Sequence, residues 1–373
     1  MLSYVTTGES HGKYLAAIVE GLPSGLRVDL EAVQRELARR QLGYGRGGRQ
    51  KIESDRVEIL GGVLKGISTG APVGLLLANR DFKIDQMGEL ERPRPGHADL
   101  AGALKYDQGI RAVLERASAR ETAMRVAAGA LARLLLSEFG IRIASHVVQI
   151  GPAVAEEAGD LSVDTLLKLT EGSELNCAYP KAEQVMKAAI DQARRKKDTL
   201  GGAFEVCAAG LPPGLGSYVH HDRKLDGQLA QHLMSLQSVK AVEIGCGTRA
   251  AGLFGSEAHD EIFYDGKRKY YRKTNRAGGV EGGMTNGSDL RVRVTMKPIS
   301  TLAQPLASVN MKTKRPERAD FERSDVCAVA AGSVIGENSV AFVLARAFLE
   351  KFGGDSMTEI RRNFDGYLKR IGA

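Results

Sequence analysis

The chain has 373 residues, a formal net charge of +7 at pH 7 and 44 glycines, roughly 12% against a usual ~7%. Charged residues make up 26% and hydrophobic ones 43%, which excludes a disordered chain, a collagen and a disulfide-stapled secreted module. The positive excess fits an anionic partner, which could be nucleic acid, an acidic surface or a small phosphorylated substrate. Because the sequence has four widely spaced cysteines, no signal-peptide pattern and no apolar run of ~18–20 residues, we expect a cytoplasmic protein with reduced thiols and no membrane partner.

The first half of the chain predicts helices separated by short strands. Asp29 is a plausible N-cap for a helix that ends near Gln41, and the glycine-rich stretch 43–49 suits neither helix nor strand. Apolar residues at 72–78 predict a strand, and a long internal helix with a wide apolar face begins near Ser118.

The second half mixes the two element types without regular alternation. We predict strands at 141–150, 203–208 and 292–296, helices at 181–196 and 224–236, and two C-terminal helices, the second opening with a capping box from Ser356 to Glu359. This irregular order favours an α+β fold, and no composition shift divides 1–373 into more than a single domain.

Two segments near the N-terminus carry candidate chemistry. Gly8–Gly12 encloses Ser10 and His11, and the imidazole is the side chain that titrates near neutrality unaided. The stretch 43–49 satisfies G-x-G-x-x-G, but a helix precedes it and none follows, so we reject a dinucleotide-binding turn. Arg46 and Arg49 instead make it a loop suited to a phosphate or carboxylate.

Further candidate segments combine rigid or glycine-rich backbone with cationic and titratable groups. Arg92–Asp99 holds two prolines, two arginines and a histidine, and Arg116–Thr122 offers Ser118 and Glu121 as a capping box at a helix start that attracts anions. Five glycines in 278–287 allow close approach to a flat ligand. The strand that follows leads into Lys297–Thr301, and 323–327 presents a possible base.

Together these segments resemble the chorismate synthase family. The matching motifs, in family order, are G-E-S-H-G, R-P-G-H-A-D, R-A-S-A-R-E-T, G-G-V-E-G-G-M-T-N-G, K-P-I-S-T and R-S-D-V-C. The resemblance implies one compact unit with helices sandwiched between antiparallel sheets, a homotetramer, no metal and a requirement for reduced FMN. The implied reaction is a 1,4-anti elimination of phosphate and the C6 proton from 5-enolpyruvylshikimate 3-phosphate, which gives chorismate with no net redox change.

The resemblance also implies roles for individual residues. His11 and His97 match the family's two catalytic histidines, and Asp325 matches the group that helps the flavin accept the C6 proton. The implied FMN-binding residues are Arg116, Ala117, Ser118, Gln237, Ser238, Gly282, Lys297, Pro298, Ile299, Ser300, Thr301 and Arg323. The residues implied for substrate, or for NADPH in members that reduce their own flavin, are Ser10, Arg40, Arg46 and Arg49.

Two other functions compete with this interpretation. One is a different enzyme that uses FMN or phosphate on the same scaffold. The other is an RNA-binding protein, which the thinly spread 20 Phe and Tyr disfavour because base stacking needs clustered aromatics. Because the chain shows no dinucleotide-binding unit, we expect it to depend on an external flavin reductase. With aromatics spread so thinly, we also expect it to bind no nucleic acid. It departs from the family pattern at Asp107-Gln108, at His221 and in a short stretch at 79–92.

Overall fold

The computed structural model describes residues 1–47, 54–155, 161–267, 269–322 and 324–372. Its helices are α1 (Leu30–Gln41), α2 (Asp99–Tyr106), α3 (Ile110–Ala117), α4 (Thr122–Ser137), α5 (Val163–Thr170), α6 (Pro180–Arg195), α7 (Leu225–Met234), α8 (Gly255–Ala258), α9 (Val329–Phe352) and α10 (Met357–Ile371). Its longer strands are β1 (Ser3–Thr7), β2 (Tyr14–Glu20), β3 (Val57–Gly61), β6 (Val73–Ala78), β7 (Arg142–Ile150), β9 (Gly202–Ala209), β10 (Val239–Ile244) and β15 (Leu290–Met296). Short strands are β4 (Val63–Leu64), β5 (Ile67–Ser68), β8 (Ala153–Val154), β11 (Ile262–Asp265), β12 (Lys269–Arg272), β13 (Val280–Glu281), β14 (Met284–Thr285), β16 (Ala307–Val309) and β17 (Pro316–Arg318).

Two antiparallel sheets form the outer layers. The first has the order β1-β2-β6-β3, and the second has the order β10-β15-β9-β7-β8. Every strand pair within them is antiparallel, with Ser3 opposite Glu20 in the first sheet and Arg142 opposite Ala209 in the second. The predicted α+β class with antiparallel sheets is therefore confirmed, while the assignment of 1–373 to a single domain stays a prediction.

The long helices α4 and α9 pack against each other between the sheets. α4 contacts strands of the first sheet and α9 contacts β7 and β9 of the second. A Cβ atom on Gly129 of α4 would lie 2.3 Å from the Asn338 carbonyl oxygen of α9, so only glycine allows this approach. The expected arrangement of helices between sheets is thus confirmed. By length and composition α9 could span a membrane, but 89% of its most apolar window is buried here, as in a core helix.

Local capping signals were predicted with mixed success. The Asp29 carboxylate accepts from the N–H groups of Glu31 and Ala32, which confirms it as the N-cap of α1. Ser356 accepts from the Glu359 N–H as predicted, although the Glu359 carboxylate returns to the N–H of Asp355. The capping box predicted at Ser118 is wrong.

The chain at Ser118 forms a 3-10 turn where the long helix was predicted to begin. α3 ends at Ala117, the Ser118 hydroxyl accepts from the Arg120 N–H in the turn Ala119–Glu121, and α4 begins at Thr122. The Glu121 carboxylate accepts from Thr6 and Arg125 instead of capping. These long-range partners compete successfully with the local cap.

Candidate active site

A cavity of about 610 Å³ lies where the main polar motifs converge. It is walled by the turn after β1, the end of α3, the segment after β15 and the start of α9. The predicted site residues that line it are Ser10, His11, Arg40, Arg46, His97, Ala117, Ser118, Gln237, Ser238, Lys297, Ile299, Ser300, Thr301 and Asp325. Motifs spread over more than 300 residues therefore meet at one place.

Several predicted residues lie elsewhere. Arg116 lines a neighbouring cavity of about 400 Å³ that shares Gln237 with the first, and its guanidinium donates to the carbonyl oxygens of Thr6 and Gly8. Pro298 and Gly282 are not among the residues lining either cavity, and Gly282 lies in the turn between β13 and β14. Arg49 and Arg323 lie outside the described residues.

His11 is held by a buried carboxylate from α3. Its Nδ1 lies 2.9 Å from Glu115 Oε1, and its backbone N–H donates to Glu115 Oε2 at 2.8 Å. Burial alone would raise the pKa of Glu115, but the hydrogen bonds from His11 outweigh it, and the pKa falls below its usual value. Glu115 therefore stays ionised at neutral pH and fixes both the ring and the backbone of the 8–12 turn.

His97 has the same kind of partner. Its Nδ1 lies 2.5 Å from Asp99 Oδ1, and Arg94 donates to Asp99 Oδ2 through Nε at 2.8 Å and through its backbone N–H at 3.0 Å. Burial would raise the pKa of Asp99, yet the hydrogen bonds from His97 and Arg94 hold it far below its usual range. Arg94 also donates to Thr301 at 2.8 Å, which ties the R-P-G-H loop to the K-P-I-S-T segment.

Gly96 makes a second connection between those two segments. Its φ of +78° is in the left-handed region, and its carbonyl oxygen accepts from Lys297 Nζ at 2.7 Å and Ser300 Oγ at 2.9 Å. Burial, with Lys240 nearby, lowers the pKa of Lys297. The amine thus stands partly desolvated at the cavity wall.

Two buried arginines share one carboxylate behind the cavity wall. Asp55 accepts from Arg40 Nη1 at 3.1 Å and from Arg120 Nη1 at 2.5 Å. Arg40 also donates to Thr122 and to the Ala119 carbonyl oxygen, and burial lowers its pKa to about 10 despite Asp55. Arg40 therefore remains cationic at neutral pH but is committed to protein partners on Nε and both Nη atoms.

Asp325, which lies just before α9, contacts the loop that contains Arg46 and Gly47. Its Oδ1 accepts from the Gly47 N–H at 2.6 Å, and Oδ2 lies 3.1 Å from Arg46 Nη1. Ser118, which also lines the cavity, donates to Ser10 at 3.1 Å. The predicted catalytic carboxylate is thus in the cavity, where it also holds a cationic side chain in place.

The cavity has an excess of positive charge. Among the described lining residues six are cationic and three are carboxylates; the cations are Arg40, Arg46, Lys83, Arg94, Arg120 and Lys297, and the carboxylates are Asp81, Glu322 and Asp325. Such a balance attracts a ligand with several negative charges. The described residues contain no group of three or more His, Cys, Asp or Glu side chains placed to hold a metal ion.

Sequence reasoning missed several contributors. Arg94 stands inside a motif and could have been selected by type, and Lys83 comes from the short stretch 79–92, whereas Arg120 belongs to the segment 116–122 that was expected to attract an anion. Nothing local marks Glu115 or Asp55, because each acts on a residue far along the chain.

Two residues at which the chain departs from the family pattern, and two further histidines, have structural positions with no catalytic role assigned to them. Asp107 caps α2 in a left-handed conformation (φ 50°), and His221 lies exposed in a 3-10 turn. His146 is buried in β7 and His232 lies in α7, as expected, and burial with Arg125 and Arg346 nearby lowers the pKa of His232 to about 4.

Comparison with known proteins gives a consistent result. A family model described as chorismate synthase matches residues 2–349. The chain is 55% identical to the chorismate synthase of Symbiobacterium thermophilum over 99% of both chains, and 51% identical to that of Geobacter sulfurreducens over 100% of both. A crystal structure of a chorismate synthase, 42% identical, matches with a TM-score of 0.83 over 99% of this chain and 98% of that one.

Proposed function

Since the chain belongs to the chorismate synthase family and is therefore a lyase, we propose that it converts 5-enolpyruvylshikimate 3-phosphate to chorismate. The reaction is a 1,4-anti elimination that releases phosphate and the C6 proton, requires reduced FMN and produces no net redox change. The observation that carries the proposal is the convergence of both motif histidines and six cationic side chains on one cavity.

The charge of the cavity suits this substrate. One phosphate and two carboxylates need several cationic partners, and guanidinium groups bind both kinds of anion through paired hydrogen bonds. As phosphate departs, negative charge grows on its oxygens. Fixed arginines in a partly enclosed site stabilise that charge without reorganising, and a protonated histidine completes the neutralisation.

His11 and His97 are the proton donors in this scheme. Both line the cavity, and each has Nδ1 against a buried carboxylate, so proton exchange with a ligand goes through Nε2. One histidine serves the departing phosphate and the other keeps the cofactor in its protonation state. Asp325 lines the same cavity, and its proposed role is to help the flavin accept the C6 proton.

The residues present are compatible with FMN. A volume of about 610 Å³ lies in the range of ligand sites, and the wall offers the hydroxyl groups of Ser118, Ser238, Ser300 and Thr301. Gln237 Oε1 is buried without a hydrogen-bond partner among the described residues, and a donor group on a bound ligand can satisfy this acceptor. The chemistry that reduced FMN supplies when bound is a transient transfer of electron density that is returned within the turnover.

We also propose that an external reductase supplies the reduced flavin. The alternative is NADPH bound near Arg40 and Arg46, as in members that reduce their own flavin. Hydrogen bonds to Thr122, Asp55 and the Ala119 carbonyl oxygen occupy part of the donor capacity of the Arg40 guanidinium, which favours the external source. NADPH-driven turnover without added reductase would contradict this.

We propose a cytoplasmic homotetramer, and the outer face of the first sheet supports the association. Val5, Ile18 and Leu60 are exposed there, with Ile18 opposite Val5 and Leu60 packed over Gly74. Contiguous exposed apolar surface of this kind marks association sites. By analytical ultracentrifugation we expect a tetramer that Ile18→Lys splits and Val185→Lys, on exposed α6 surface, leaves intact; a monomeric wild type would refute it.

The reaction is tested anaerobically with purified protein, reduced FMN and 5-enolpyruvylshikimate 3-phosphate. Phosphate release with formation of chorismate is expected, and no release at any pH between roughly 6 and 9 would refute the proposal. His11→Ala and His97→Ala should each lower turnover by about 10²-fold or more with the fold preserved, the usual scale of general acid catalysis. Near wild-type rates in either variant would remove that histidine from the catalytic set.

A further inference from the structure

Both cavity histidines share one arrangement that the proposed reaction does not by itself require. His11 and His97 come from different motifs, yet each meets a nearly inaccessible carboxylate through Nδ1: Glu115 in one case and Asp99 in the other. The side chains of both carboxylates are 1% exposed, while those of the histidines are 13% and 21% exposed. Each carboxylate therefore lies behind its ring, on the side away from solvent.

The chemistry of the contact fixes the position of a proton. An ionised carboxylate can only accept hydrogen bonds, so a ring nitrogen 2.5–3.1 Å from it must carry the hydrogen. Arg94 Nη2 lies 3.0 Å from His97 Nδ1, but it also donates to Asp99 Oδ1 at 3.0 Å. The shorter His97–Asp99 contact would be a repulsive meeting of lone pairs unless Nδ1 were the protonated nitrogen.

The carboxylates are themselves held in place. Glu115 accepts from the His11 backbone N–H, and Arg111 Nη1 lies 3.6 Å from its Oε1. Asp99 accepts from the Arg94 backbone N–H and from its guanidinium Nε and Nη2. Neither ring can therefore turn without breaking bonds to a buried charge, as in enzymes where a carboxylate orients a catalytic imidazole.

We propose that Glu115 and Asp99 are positioning residues that hold His11 and His97 as Nδ1–H tautomers, so that Nε2 alone exchanges a proton with the bound ligand. In that exchange the Nε2–H bond breaks, an acceptor atom of the ligand gains the proton, and the neutral ring keeps its remaining proton on Nδ1. The inference rests on the proposed function, because it takes both histidines as proton donors.

The chain provides a matched control. His220 Nδ1 lies 2.8 Å from Asp222 Oδ1, at the same two-residue spacing as His97 and Asp99, but both side chains are more than half exposed and neither lines the cavity. An exposed pair of this kind contributes little. Asp222→Asn therefore repeats the chemical change of Asp99→Asn without touching the site.

The test compares Glu115→Gln, Asp99→Asn and Asp222→Asn by steady-state kinetics with reduced FMN. We expect kcat to fall about 10²-fold or more in the first two, with KM for the substrate and the Kd for FMN within threefold of wild type, and no change in the third. Retention of wild-type kcat in folded Glu115→Gln and Asp99→Asn would overturn the proposal. If His11→Ala and His97→Ala are inactive in that case, the proposed function survives.

A second measurement reads the tautomer of the two histidines directly in the wild-type protein. In wild-type protein labelled with ¹⁵N-histidine, ring nitrogen shifts report the tautomer, and signals are assigned by their loss in His11→Ala and His97→Ala. We expect the neutral rings of both residues to carry hydrogen on Nδ1, and Glu115→Asp and Asp99→Glu to retain that tautomer with partial kcat. Hydrogen on Nε2 of the neutral rings in wild type would refute the proposal.

Discussion

Replacing Glu337 by Gln tests a buried charge cluster on the central helix α9. Glu337 lies on α9 with its side chain fully buried, and its carboxylate accepts from Arg39 at 2.9 and 3.1 Å, from Ser145 at 2.9 Å and from Arg133. Glutamine has nearly the same shape but lacks the charge. The substitution therefore isolates the electrostatic part of the cluster from its packing.

The magnitude follows from the pKa of the carboxyl and from the neighbours that remain. Burial raises the pKa of Glu337, but Arg133 and Arg39 outweigh it and bring it from 4.5 to about 2. At ~1.4 kcal/mol per pH unit, that difference corresponds to about 3 kcal/mol of stability. Removing one partner of a buried ion pair typically costs ~3–5 kcal/mol, and Glu36, 2.9 Å from Arg39, keeps the expected loss near the lower figure.

The assay is urea unfolding followed by far-UV circular dichroism at pH 7. We expect Glu337→Gln to lower the free energy of unfolding by about 3 kcal/mol, while Glu138→Gln, which breaks an exposed pair with Arg361, changes it by less than ~0.5 kcal/mol. Because the folded-state pKa is the lower one, this stabilisation is complete above pH 4.5 and disappears as pH falls through about 2. A loss below ~0.5 kcal/mol at pH 7 would refute the reasoning.

Three other outcomes are expected. Asp325→Ala should retain FMN binding, measured by flavin fluorescence, while turnover falls because the carboxylate proposed to help the flavin accept the C6 proton is removed; loss of flavin binding alone would assign Asp325 to structure, as the acceptor of Arg46 and the Gly47 N–H. Gly129→Ala should lower the free energy of unfolding by ~1–3 kcal/mol, read from thermal unfolding, since the new methyl group would lie 2.3 Å from the Asn338 carbonyl oxygen. Wild-type stability would contradict the close α4–α9 contact. KM for the trianionic substrate should rise with ionic strength between roughly 0.05 and 0.5 M, because salt screens the cationic cavity; a flat KM would argue against electrostatic capture.

Residues whose role depends on local backbone chemistry could be predicted from the sequence. Asp29 caps α1 through N–H groups two and three residues away, and that relation is visible in one dimension. The motifs around His11, His97 and Lys297 were identifiable because glycine and proline surround side chains with few purely structural uses. The structure brings these motifs together in one cavity, and the roles of their side chains stay predictions.

The rest depends on contacts across long stretches of chain. Glu115 reaches His11 over 104 residues, and Asp55 reaches Arg120 over 65. Ser118 and Glu121 show the converse. Their spacing matches a capping box, but the Glu121 carboxylate accepts a hydrogen bond from the distant Thr6 instead. One sequence carries no pairing information at such separations, so the identity of a motif is predictable while its supporting charges are not.

The position of α9 in the chain has a consequence for how the protein folds. This helix fills the space between both sheets, yet it spans Val329–Phe352 and is therefore among the last elements synthesised. Its main partner, α4, ends at Ser137, so nearly 200 residues must emerge before the pair can form. Until then the inner face of the second sheet, which α9 covers, remains exposed. We expect slow folding after release from the ribosome, with aggregation as the competing fate of chains truncated before α9.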